Sequence, residues 1–140
     1  MKHCLRFFLI LAAASIFAAL GRAQVIVIAN PNVKADSVTK DELRNVFTGS
    51  SSKLAGGDRV TPVLLKEGAT HSTFTSDFLG RSPIAVTMSW RSLVMSGQGA
   101  MPRSFESEAQ EVEYISHTAG AIGYIDQATP HGGVKVLAVH

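Results

Sequence analysis

Val25-Ile26-Val27-Ile28-Ala29 is a continuous β-branched and apolar run stopped by Asn30-Pro31, which predicts a strand buried on both faces. Beyond Asp36 the period changes. Leu43, Val46 and Phe47 form an i, i+3, i+4 apolar face, Thr39 with Glu42 has capping-box spacing, and Gly49 supplies a stop, so a helix is expected between them. Residues 50–58 are loop-like. Arg59 to Leu65 can form a second strand, with Pro62 placing it at an edge or in an irregular position.

Ser72 to Leu79 is predicted as a short helix closed by Gly80. Ser82-Pro83 opens another, cap then proline, which runs to about Ser96 with Val86, Trp90, Leu93 and Val94 on one face. Gly97 to Arg103 is a glycine- and proline-containing loop, and Ser107 with Gln110 caps a further helix that ends near Ala119-Gly120. Ala121 to Ile125 and Val134 to Val139 are expected strands separated by the turn-rich Asp126 to Gly133. Strands separated by capped helices predict an α/β domain of two or three layers, with a small mostly parallel or mixed sheet flanked by helices. Ligands of such sheets sit beyond the carboxyl ends of strands, where a loop leads into a helix, and Lys66 to Thr73 occupies such a place.

The N-terminus changes the picture of the chain that has to fold. Lys2 and Arg6 precede an apolar block from Phe7 to Leu20 and then Gly21-Arg22-Ala23, the pattern of a secretory signal peptide cleaved after Ala23. The block is shorter than the roughly 20 residues of a membrane span. The expected division is therefore a leader over residues 1–23 and one domain over residues 24–140, periplasmic or secreted, with no stable membrane insertion after cleavage. Three of the 13 basic residues (Lys2, Arg6, Arg22) leave with the leader, so 10 basic face 11 acidic groups and the formal charge moves from +2 to −1. No basic patch of the kind nucleic-acid binders carry survives. Cys4 is the sole cysteine, so the mature chain can form no disulfide, thiol nucleophile or zinc-thiolate site.

Lys66, Glu67, Gly68, Ala69, Thr70, His71, Ser72 and Thr73 bring together a cation, a flexible glycine, hydroxyls and the free N–H groups of a helix start, which favour an oxyanion. Thr70 or Ser72 can instead simply cap the helix. Glu67 opposes a fully ionised anion but can accept a hydrogen bond from a protonated one. No catalytic or metal-ligating set emerges, and no cofactor is expected. His71, His117, His131 and His140 lack ligand spacing and read as lone exposed histidines, while His71 and Ser72, being adjacent, diverge on a helix. Glu106, Glu108, Glu111 and Glu113 read most simply as a solvated helix face, with a cation site as the second reading. Trp90 reads as a core anchor, and Arg91, off that face, stays open between surface and site.

Val38-Thr39-Lys40-Asp41-Glu42-Leu43-Arg44-Asn45-Val46-Phe47-Thr48-Gly49 and Thr118-Ala119-Gly120-Ala121-Ile122-Gly123-Tyr124-Ile125 lie on either side of Lys66 to Phe74. In that order and spacing they resemble the phosphate-type periplasmic substrate-binding proteins of ABC importers. Trp90-Arg91 followed by Gly97-Gln98-Gly99-Ala100-Met101-Pro102 is similar to short, single-lobe members. The resemblance implies a single periplasmic-binding-protein-like lobe, without enzymatic activity, that takes phosphate or another small oxyanion in ABC-type uptake or sensing. Partners it implies are an ABC permease, a membrane sensor or an outer-membrane protein. The chain departs from the pattern at the anion loop, where aligning Gly68 puts Leu65 at the receptors' arginine and Ala69 at their serine. The alternative is therefore an envelope interaction or signalling module that kept the lobe and lost phosphate binding.

Overall fold

The computed structural model describes residues 23–140, so the expected leader lies, but for its last residue, outside the described residues. The first apolar run forms β1 (Val25–Ala29), the middle strand of a five-stranded sheet. Around it are β2 (Ser37–Val38), β3 (Thr61–Pro62), β6 (Ala121–Asp126) and β7 (Lys135–Val139), in the order β2-β7-β1-β6-β3. β1 is antiparallel to both β6 and β7, whereas β2 runs parallel to β7 and β3 parallel to β6. Four strands thus share one direction and β1 alone opposes them, the mixed form of the expected sheet. A separate parallel pair joins β4 (Leu64–Leu65) to β5 (Ser104–Phe105).

Four helical elements cover the sheet. α1 (Lys40–Phe47) starts on the expected capping box, with the Thr39 hydroxyl accepting from Glu42 N–H at 3.1 Å. α2 (Ala69–Thr73) continues directly as a π-helical stretch, Phe74–Leu79, which ends at left-handed Gly80. α3 (Pro83–Met95) is capped by Ser82, and α4 (Glu108–His117) by Ser107.

Alternation along β1 and β6 sorts their side chains to two faces. Val27, Ala29, Ile122 and Tyr124 pack with Leu43, Phe47, Phe74, Leu79, Val86 and Trp90 of α1, the α2 element and α3. Ile28, Ala121 and Ile125 pack on the other face with Val112 and Ile115 of α4. The result is a three-layer α/β arrangement.

Several local expectations need correction. The strand expected from Arg59 to Leu65 is two short strands, because Val63 N–H still bonds Ile122 O while Leu64 N–H turns to Arg103 O. The helix expected from Ser72 begins three residues earlier, at Ala69. Val94 is 41% exposed and does not share the inner face of α3 with Val86 and Trp90.

Candidate functional site

β3 and β4 deliver the chain to the carboxyl end of the shared strand direction, and Lys66 follows at once. Lys66 N–H bonds Phe105 O at 2.9 Å, and Leu65 N–H donates to the Tyr124 hydroxyl at 2.9 Å, so the start of the segment is fixed from two sides. Gly68 then takes φ +106, a conformation open to glycine and strained for other residues. It caps α2 through its backbone, accepting from Ser72 N–H at 3.0 Å, with no side-chain cap. Thr70 and Ser72 therefore lie inside the helix, and neither is the cap that the sequence allowed.

The eight expected site residues share a segment but not an environment. Lys66, Glu67, Gly68, Ala69 and Ser72 are exposed, Thr73 is half-buried, and Thr70 and His71 are buried. A cleft of about 350 Å³ opens over the start of α2, lined by Glu67, Gly68, Ala69, Thr70, Glu106 and Glu108, with Leu65 and Ser107 completing its wall. The start of α4 faces the same cleft, so the positive dipole ends of two helices meet there. Three carboxylates oppose that field. Glu108 takes the Thr70 hydroxyl at 3.1 Å, the Thr129 hydroxyl at 3.0 Å and the Asp126 N–H, so a donor expected for an outside anion is held by the chain's own carboxylate. Lys66 reaches across to Glu106 at 3.3 Å, both well exposed, a pair of little strength.

His71 is 7% exposed, against its expectation as an exposed histidine. Its Nδ1 lies 2.5 Å from the Tyr124 hydroxyl, while Tyr124 stacks on Phe74 with ring centroids 3.8 Å apart. Burial lowers the His71 pKa from its ordinary 6.5 and favours the neutral ring. The acidic run is likewise not uniformly solvated: Glu111, one turn after Glu108, is fully buried. Of the other histidines, His117 pairs with Glu113 at 3.0 Å on the surface of α4, and His131 bonds Thr129 O at 2.7 Å. Among the described residues no group of three or more His, Cys, Asp or Glu side chains is placed to hold a metal ion.

On the other side of the Lys66 ridge lies a second cleft, of about 290 Å³, bounded by Lys66, His71 and Arg91 together with Pro83, Ile84, Thr87 and Met88 of α3. Arg91 was outside the residues expected to bind. Its position follows from Trp90, whose indole N–H donates to Phe47 O at 2.8 Å and turns the neighbouring side chain outward. The sequence signal was the Trp-Arg pair itself.

No family model and no curated protein matches the sequence. Solved structures do. A Clostridium perfringens protein assigned as a phosphate ABC transporter substrate-binding protein, with bound phosphate, superposes with a TM-score of 0.65 at 16% identity over 82% of this chain and 44% of its own. An ABC-type phosphate transport receptor from Vibrio cholerae gives a TM-score of 0.59 at 13% identity, covering 82% of this chain and 45% of its own. PstS from Borrelia burgdorferi gives 0.56 at 15% identity, covering 83% and 47%. The chain spans less than half the length of each of these proteins. Among the described residues no helix is long and apolar enough to cross a membrane. The mixed sheet, its helical layers and these superpositions agree on one assignment: the chain has the fold of a single lobe of the phosphate-type substrate-binding proteins of ABC importers.

Proposed function

We propose that the chain is an exported, non-enzymatic solute-binding lobe, one domain over residues 24–140 behind a cleaved leader over residues 1–23. It takes phosphate or another small oxyanion at the Lys66–Thr73 segment, in connection with ABC-type uptake or sensing. The observation that carries this reading is the placement of that segment, at the carboxyl end of the parallel strand direction and turning through Gly68 into a helix, in a fold shared with a protein solved with bound phosphate. Isothermal titration with phosphate, sulfate and small carboxylates is expected to give saturable heat, and an absence of both heat and thermal shift at millimolar concentrations would exclude a free-standing receptor.

A second reading is favoured by one feature, the three carboxylates Glu67, Glu106 and Glu108 around the helix-start cleft. In that reading the lobe is an envelope interaction or signalling module that has lost phosphate binding. It requires that the protein co-purify with a permease, sensor or outer-membrane protein whether or not phosphate is present; recovery that depends on phosphate would favour the receptor reading instead.

A further inference from the structure

The two clefts beside Lys66 differ in sign. The helix-start cleft has three carboxylates on its wall, whereas none lines the cleft of Lys66, His71 and Arg91. Arg91 forms no ion pair among the described residues, so its guanidinium has no internal partner to leave. Lys66 can be drawn from its exposed contact with Glu106 at small cost.

His71 adds a directed donor. The Tyr124 oxygen accepts the Leu65 N–H at 2.9 Å, and His71 Nδ1 is the acceptor within reach of the tyrosine's single hydroxyl proton. With Nδ1 accepting, the proton of the neutral ring resides on Nε2. That atom has no protein partner and is not sealed from solvent, since Glu111 Oε2 is the buried side-chain polar atom without a partner among the described residues. His71 lines the cleft with this N–H left unbonded, in the company of a guanidinium and a movable ammonium. Thr87 adds no donor, because its hydroxyl bonds Pro83 O at 3.2 Å. The remaining wall is apolar: Ile84 is 76% and Met88 56% exposed, large side chains left open beside the cations.

We infer that the Lys66, His71 and Arg91 cleft is the anion-binding face, and that its ligand is a small organic carboxylate whose apolar group lies against Pro83, Ile84 and Met88. An inorganic anion would leave that wall in water, whereas a carboxylate with an alkyl tail covers it and meets the cations and the His71 Nε2–H with its charged end. This deepens the anion-binding reading above and rests on it.

Titration of the purified protein with sodium hexanoate, sodium acetate and inorganic phosphate tests the assignment. Hexanoate is expected to bind at least about tenfold more tightly than acetate because of its additional methylenes. Arg91→Gln, an exposed site whose loss should leave the unfolding midpoint unchanged, is expected to weaken hexanoate at least about tenfold. In histidine-labelled protein, hexanoate should shift the Nε2 resonance of His71 while Nδ1 keeps the signature of an acceptor. Equal affinity for acetate and hexanoate, or unaltered hexanoate binding by Arg91→Gln, would overturn the cleft assignment. Phosphate binding that is lost in Thr70→Val and kept in Arg91→Gln would overturn it as well, while leaving an oxyanion receptor acting through the helix-start cleft. No heat with any of the three anions would remove both readings.

Discussion

Glu111 is fully buried between α4 and β6, with Oε1 accepting the Tyr124 N–H at 3.3 Å and Oε2 without a partner. Burial pushes its pKa from 4.5 up to about 9; the Tyr124 N–H works against that shift and the nearby Glu108 charge adds to it. Between those two values the folded chain holds a proton that the unfolded chain has released, so stability is greatest at the acid end of the window and falls as pH rises toward 9. Glu111→Gln should flatten this slope and stabilise the protein at pH 8 by about 2 kcal/mol, read from urea unfolding across the window. An unchanged slope would assign the alkaline loss to another group. His71 acts with the opposite sign. Its lowered pKa keeps stability present above 6.5 and loses it as pH falls through the depressed folded value, so His71→Gln should lessen the acid-side loss. Tyr124→Phe removes both the acceptor of Leu65 N–H and the partner of His71 Nδ1, and should cost about 1–3 kcal/mol in the same unfolding measurement.

At the scale of elements, α1 and α3 are locked end to side at Gly49. This residue has φ +84, a Cβ added there would collide with Leu93 Cδ1 and stand 3.1 Å from the Trp90 ring, and Trp90 is itself tied to the last carbonyl of α1. Gly49→Ala is expected to destabilise by about 2–4 kcal/mol, combining left-handed strain with overpacking, and the loss should appear in the thermal midpoint. The starts of α1, α3 and α4 were legible because their caps are local side-chain contacts: Thr39 with Glu42, Ser82 with Ala85, Ser107 with Gln110. The start of α2 was not, since Gly68 caps by a backbone angle that leaves no side-chain signature. The π-helical stretch has no recognised repeat in so few residues, and two-residue strands such as β2 and β5 are too short to show a period. Glu108 and Glu111 carried their common face in their spacing of three, but charge argued for solvent and tertiary contacts with β6 decided otherwise. The site segment was visible as a loop entering a helix. Its division into two clefts was not, because Tyr124 lies 53 residues beyond His71, and α3, which walls the second cleft, meets it only in the folded chain.

Over the whole molecule, β1 is the strand that both packed faces share. Its pairs with β6 and β7 hold the sheet together, Val27 and Ala29 enter the cluster beneath α1 to α3, and Ile28 enters the cluster beneath α4. Neither helical layer can leave without exposing strands whose other face is still packed, so the two clusters should not melt independently. Residues 24–140 expressed alone are accordingly expected to unfold in one transition, with coincident curves from far-UV circular dichroism and from Trp90 fluorescence. Trp90 reports the larger face and circular dichroism reports all helices. A dichroism curve with a second step that the tryptophan does not follow would show α4 leaving on its own. That outcome would also release Glu108 from Thr70 and Asp126, and with it the acidic wall of the helix-start cleft.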